Sequence, residues 1–172
     1  VLEQRDFPVT ELIPLASSRS AGRALLFRGR EWIVREAEES AFEGVHVALF
    51  SAGGEASRKW APVAAGKGTV VIDNSSAWRL DPGVPLVVPE VNADDLLWHR
   101  GIIANPNCAT IQALVALFPL HREAVLESFN AVTFQAVSGT GLSALDELKD
   151  GTASALSGEN FKPKVYPHPI AF

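Results

Sequence analysis

One cysteine, Cys108, stands in the run Gly101-Ile-Ile-Ala-Asn-Pro-Asn-Cys-Ala-Thr-Ile-Gln112. Residues 102–104 predict a short buried strand. Asn105-Pro106-Asn107 predicts a turn with an N-cap residue, and Ile111, Leu114, Val115 and Phe118 mark one face of a helix. Cys108 therefore falls in the first helical turn, where unpaired N–H groups and the positive end of the helix dipole favour an anion. That setting favours the thiolate, a strong nucleophile at neutral pH. The alternative is a buried structural thiol, because free cysteine is among the most buried residue types.

Other polar groups are placed where they could serve such a nucleophile. Ser17, Ser18 and Arg19 follow an apolar strand directly. In dinucleotide folds an acidic residue after the second strand binds the ribose of NAD, whereas an arginine there accommodates the 2′-phosphate of NADP. With serines and Arg19 and no acid, this strand end favours NADP; a solvated turn is the other reading. Ser51-Ala-Gly53-Gly54 lies between a core strand and a helix, where backbone amides can approach a phosphate or ribose. The strict G-x-G-x-x-G fingerprint is absent, and a tight turn would look the same. Asp73-Asn74-Ser-Ser76, again at a strand end, shares the carboxyl edge at which open α/β sheets bind ligands. Arg79 follows and could grip an anion bidentately beside the nucleophile. Gln135, centred in an alternating segment, needs solvent or a polar partner such as a substrate carboxylate or carbonyl. Ser138-Gly139-Thr-Gly141 could bring its backbone close to a flat ring.

The elements that must hold these residues are those of an α/β domain. From residue 12 to residue 104 short apolar strands alternate with helical or turn segments. Strands are expected at 12–16, 45–50, 70–72, 86–88 and 102–104, forming one continuous and mostly parallel sheet. Residues 25–27 and 32–34 read as an appended hairpin, and helices are expected near 56–65 and 93–98. Beyond Cys108 the pattern changes: a helix to about residue 117, a longer alternating strand at 129–137, and a helix at 142–156. Alternation suits a half-buried strand of an antiparallel or mixed sheet. A domain boundary is placed near Asn107, with the nucleophile on the junction, and clefts between domains commonly bind ligands.

Composition bounds the function. The chain has 172 residues, 47% hydrophobic and 20% charged, with a formal net charge of −5. The mild acidity, without any basic cluster interleaved with aromatics, argues against nucleic acid, and no apolar run approaches the ~20 residues of a membrane span. A lone cysteine forms no internal disulfide and suits a reducing cytoplasm. The histidines, His46, His99, His121 and His168, have no zinc-like spacing with Cys108, so no metal site is expected. No Gly-x-Ser-x-Gly elbow points to a serine hydrolase. There is no methionine, the first residues carry no helix-capping signal, and the last are apolar. These ends read as those of a piece cut from a longer polypeptide.

Taken together, the residues resemble aspartate-β-semialdehyde dehydrogenases. The resemblance runs through Leu15-Ala-Ser-Ser-Arg-Ser-Ala-Gly22, Phe50-Ser-Ala-Gly53, Val71-Ile-Asp-Asn-Ser-Ser-Ala77, Val84-Pro-Leu-Val-Val-Pro-Glu-Val-Asn92, Ile103-Ala-Asn-Pro-Asn-Cys108, Gln135-Ala-Val-Ser-Gly139 and Pro167-His-Pro-Ile-Ala-Phe172, in the family order. It implies a Rossmann-like NADP-binding domain at 1–107, lacking its N-terminal strand and phosphate loop. It also implies the truncated start of an α+β catalytic and dimerisation domain at 108–172.

By the same resemblance Cys108 is the nucleophile, attacking the aldehyde to form a thiohemiacetal. Hydride then passes to NADP, and phosphate releases β-aspartyl phosphate from the acyl-enzyme. In biosynthesis the reaction runs in reverse, toward lysine, threonine and methionine. Arg79 matches the phosphate-binding arginine, Gln135 the substrate-contacting glutamine and Asn107 a neighbour of the nucleophile. Ser17, Ser18, Arg19, Ser51, Gly53, Asn74, Ser138 and Gly139 fall at cofactor-binding positions. The family's general-base histidine matches none of the histidines present, so this chain by itself is expected to be inactive, while its parent would act as a homodimer or homotetramer. Alternatives are a related acyl-phosphate or acyl-CoA reductase, such as N-acetyl-γ-glutamyl-phosphate reductase or malonyl-CoA reductase, and a non-catalytic binding or assembly module.

Overall fold

The computed structural model describes residues 2–172. The chain divides into two compact units, Val1–Leu126 and Glu127–Phe172. The helix that begins at Cys108 belongs to the first.

The first unit is built on three parallel strands. They are β5 (Val47–Phe50), β6 (Val70–Asp73) and β7 (Ile102–Ala104), hydrogen-bonded in that order. Their register aligns Ala48, Val71 and Ile102 on one face, and Phe50, Asp73 and Ala104 one step further along it. The helix α1 (Gly54–Gly66) covers this face because its buried positions Ser57, Ala61 and Ala64 recur at helical spacing. Ala61, Ala64 and Val71 are fully buried and pack with Ile102 and Phe42, while Phe50 and Trp60 ring the cluster. Small alanines let helix and sheet approach closely, and large side chains at the margin fill the remaining volume. Burying Val71 and Ile102 contributes about 1.5–3 kcal/mol each.

Gly101 shows how close that approach is. Its φ is +95°, and a Cβ built on it would lie 2.8 Å from the Cβ of Ala65. Only glycine permits both the backbone conformation and the contact.

The single continuous sheet expected from the sequence is not formed. β1 (Leu15–Ala16) pairs in parallel with β4 (Arg35–Glu36), β2 (Ala24–Phe27) pairs antiparallel with β3 (Arg30–Ile33), and neither pair joins β5 to β7. The expected strand at 12–16 shrinks to two residues, because only Leu15 and Ala16 find a ladder. The hairpin at 24–33 matches expectation. The strand expected at 86–88 is reduced to a bridge between Leu86 and Ala104. Pro89 follows it at the start of the one-turn helix α2 (Pro89–Asn92), and Ala93–Trp98 continues as a 3-10 helix. Helix α3 (Cys108–Ala124) runs past Pro119, beyond the end expected near residue 117.

The second unit differs more from expectation. Residues 129–137 form no strand, and Phe129, Val132 and Phe134 are exposed. Alternation describes a side-chain pattern, but a strand has no internal hydrogen bonds and forms only against a partner. None lies alongside it among the described residues. The regular elements of this unit are a 3-10 turn, Val137–Thr140, and α4 (Leu142–Ser157), which ends on Gly158 with φ +74° as a left-handed cap.

Candidate functional site

Parallel pairing brings the carboxyl ends of β5, β6 and β7 to one edge, and the residues that follow them bind one another. Asn74 N donates to the Phe50 carbonyl at 2.8 Å, and Asn105 N to the Asp73 carbonyl at 2.8 Å. The Asn105 side-chain amide donates to Asn74 Oδ1, also at 2.8 Å. Arg79 closes the group: its Nε donates to the Asn105 carbonyl at 3.0 Å and its Nη2 to the Asn74 carbonyl at 3.1 Å. A guanidinium has five donors. Both of its partners are neutral carbonyls, so its charge is oriented without being neutralised, as an anion site requires.

Beneath this edge Asp73 is fully buried. Its Oδ2 accepts from the Ser75 hydroxyl at 2.6 Å, and that hydroxyl oxygen accepts from Ala77 N at 3.1 Å. Trp78 Nε1 donates to the buried Ser57 hydroxyl on α1 at 2.9 Å. The loop from Asn74 to Arg79 is thus pinned at its start and near its end. Asp73 Oδ1 has no hydrogen-bond partner among the described residues.

Cys108 is the first residue of α3, as its context predicts, and it is exposed. Exposure removes the buried structural thiol as a reading. Asn107 is the N-cap: its Oδ1 accepts from Ala109 N at 3.0 Å, and its carbonyl accepts from Ile111 N at 3.0 Å. This cap holds the helix start in place and costs about 1 kcal/mol to remove. Pro106, buried between Asn105 and Asn107, stiffens the link from the Arg79-bound carbonyl to the thiol.

The loops singled out for a dinucleotide fall into three places. Gly53, with φ +88°, caps α1 without any side-chain hydrogen bond. A Cβ on it would meet nothing within 4 Å, so the backbone beside Ser51 is open to a ligand. Ser17, Ser18 and Arg19 form an exposed turn, closed by Ser20 N and Ala21 N on the Ser17 carbonyl. That turn stands on the β1–β4 pair rather than on β5 to β7, although Leu15 packs against the core cluster. Ser138 and Gly139 lie in the 3-10 turn of the second unit, where a Cβ on Gly139 would also meet open space. Gln135 is exposed in irregular backbone, not mid-strand, and its Nε2 donates to Thr133 Oγ1 at 3.3 Å.

The structure therefore joins Asn74, Arg79 and the turn before Asn107 and Cys108 in one hydrogen-bonded edge. It places Ser51 and Gly53 at the end of a neighbouring strand of the same sheet. Two contributors escaped sequence reasoning. Asn105 looks like an ordinary turn residue, yet it bridges two strand ends, and the available signal was a polar side chain directly after a buried strand. Asp73 was read only as part of a polar strand end. Among the described residues no group of His, Cys, Asp and Glu could hold a metal ion, and no helix is long and apolar enough to cross a membrane.

Comparison with known proteins matches residues 1–99 to the family model for the semialdehyde dehydrogenase NAD binding domain. Residues 117–172 match the model for the semialdehyde dehydrogenase dimerisation domain. The chain is 52% identical to the aspartate-semialdehyde dehydrogenase of Aquifex aeolicus, over 100% of this chain and 52% of that protein. The crystal structure of aspartate semialdehyde dehydrogenase II from Vibrio cholerae superposes with a TM-score of 0.87 at 50% identity, again over 100% of this chain and 52% of the other. The structure of that enzyme complexed with ASA also gives 0.87, at 49% identity over 99% of this chain and 51% of the other. The chain thus spans about half the length of the relatives it matches.

Proposed function

This chain belongs to the semialdehyde dehydrogenase family, and we propose that the whole protein is an NADP-dependent aspartate-semialdehyde dehydrogenase working through a covalent bond to Cys108. One observation carries this reading. Arg79 is locked onto the carbonyls of Asn74 and Asn105, and Asn105 lies three residues before an exposed cysteine at a helix start. An oriented cation and a nucleophile on one strand edge suit acyl transfer to or from phosphate.

Cys108 attacks the aldehyde carbon of aspartate semialdehyde: the C–S bond forms as the carbonyl π pair moves onto oxygen, which takes up the proton the thiol gives up, and once that carbon is oxidised phosphate displaces the thiolate to give β-aspartyl phosphate. Arg79 binds inorganic phosphate, or the phosphoryl group of β-aspartyl phosphate in the biosynthetic direction toward lysine, threonine and methionine. Asn107 fixes the thiol by capping α3, and Gln135 contacts the substrate. NADP, when bound, supplies the nicotinamide that exchanges hydride with the substrate carbon. Ser17, Ser18 and Arg19 would hold its adenosine end, with Arg19 facing the 2′-phosphate. Ser51, Gly53 and Asn74 would line its path along the strand edge, and Ser138 with Gly139 would lie against its ring. The open backbone at Gly53 and Gly139 fits such a role.

The similarity of residues 117–172 to a dimerisation domain supports a homodimer. The deciding assay is reduction of NADP by aspartate semialdehyde with and without phosphate, using the whole protein. Absence of phosphate-dependent reduction would overturn the reading. A higher kcat/KM with N-acetylglutamate semialdehyde or malonate semialdehyde would redirect it to another acyl group.

A further inference from the structure

Helix α4 buries a carboxylate that the proposed chemistry does not use. Glu147 is 6% exposed. Its Oε2 accepts from Lys164 N at 2.5 Å and from Val165 N at 2.6 Å, and its Oε1 accepts from Tyr166 N at 3.0 Å. Three successive amides thus converge on one side chain, doing for an irregular segment what a neighbouring strand would otherwise do. Burial disfavours the anion, but the three amides and the charge of Lys164 outweigh it and hold the carboxyl below its ordinary range. The same helix takes the flanks of this segment. A Cβ on Gly151 would lie 3.3 Å from the ring of Phe161 and 3.6 Å from Ala171 Cβ.

The third anchored residue reaches back to the turn before α4. The hydroxyl of Tyr166 lies 2.8 Å from Thr140 Oγ1. Thr140 ends the 3-10 turn Val137–Thr140, which has no side-chain cap and is closed by Gly141 N on the Ser138 carbonyl at 3.0 Å. A turn rich in glycine loses much freedom on ordering, so an external tie decides how well it keeps its shape.

We propose that Glu147 is a positioning residue for this turn: by fixing Lys164, Val165 and Tyr166 against α4, it sets the Tyr166 hydroxyl on Thr140 and so presents Ser138 and Gly139 to the cofactor. The inference rests on the reading of Ser138 and Gly139 as cofactor contacts. Glu147 itself touches neither cofactor nor substrate.

Two variants of the whole protein test it. Glu147→Gln keeps the shape but turns one acceptor into a donor facing N–H groups. Tyr166→Phe leaves the carboxylate clamp intact and removes only the hydroxyl tie. Hydrogen exchange read residue by residue should quicken at Lys164, Val165 and Tyr166 in Glu147→Gln alone, and at Gly141 in both variants. KM for NADP should rise ~3–10-fold in both, the scale of one lost hydrogen bond. KM for phosphate and the rate of Cys108 alkylation should stay unchanged, which a general loosening of the protein would not allow. Unchanged Gly141 exchange and KM for NADP in Tyr166→Phe would overturn the proposal, and this variant decides even if Glu147→Gln does not fold. Should the unaltered protein fail to reduce NADP, the functional reading falls, and Gly141 exchange still decides whether the clamp holds the turn.

Discussion

The two units hold their candidate residues by different means. In the first, Asn74 and Asn105 sit at the ends of paired strands and are tied to each other, and Arg79, in the loop after β6, is tied to both of their carbonyls. In the second, Gln135 lies in exposed irregular backbone, and the turn of Ser138 and Gly139 is tied through Thr140 to a segment held by one carboxylate. A sheet edge spreads placement over many bonds, so losing one moves little. A single carboxylate concentrates placement, so losing it frees three backbone amides at once, with only the flanks of the segment still packed on α4.

Substitutions should separate these cases. The largest expected effect is Cys108→Ala in the whole protein, which under the proposed covalent mechanism should lower phosphate-dependent NADP reduction at least ~10³-fold, since that mechanism has no second nucleophile. Retention of more than a tenth of the rate would remove Cys108 from the chemistry. Arg79→Ala should raise KM for phosphate ~10–100-fold, matching the ~1.5–3 kcal/mol of a hydrogen bond to a charged group. Arg79→Lys should recover only part of that, since an ammonium cannot span both carbonyls and an anion. A purely structural arginine would instead lower thermal stability and leave KM alone.

The next test concerns pH and the clamp. Because the folded-state pKa of Glu147 is depressed, its stabilisation is fully present above the unfolded value of about 4.3. It is lost as pH falls through the lower folded value. Acid titration should therefore lower the protection of Lys164, Val165 and Tyr166 relative to intrinsic exchange at each pH, while the amides of β6 keep theirs. Simultaneous loss in both regions would show that the two units share one mode of placement. The smallest expected effect is Asn107→Ala, about 1 kcal/mol of stability from the lost cap, read by denaturant unfolding. It should reduce Cys108 alkylation only modestly, because the strand ends still position the turn.

Legibility followed the range of the interactions. Cys108 at a helix start and the hairpin at 24–33 are set by neighbours within a few residues, and β5 to β7, although their partners lie 23 and 31 positions away, were readable from short apolar runs. The segment 129–137 was not, because alternation reports which side chains would share a face and says nothing about whether a partner strand lies alongside. Asn105 acquires its role only when β6 and β7 pair, and Glu147 only when residues 17 to 19 positions away fold back on it. Nothing in the local sequence sets this carboxylate apart from the other charges on α4, and only burial distinguishes it.

Gly101 has a further consequence. It lies directly before β7, and its lack of a side chain opposite Ala65 lets that strand sit close to α1, seven residues before the thiol. In a saturation library selected for activity, this position should tolerate as little variation as Cys108 does. A map of intolerant sites would therefore place it among the reactive groups, although it has no side chain with which to react. Purified soluble protein would separate the two: at Cys108 the inactive variants stay folded, whereas at Gly101 activity disappears together with the fold.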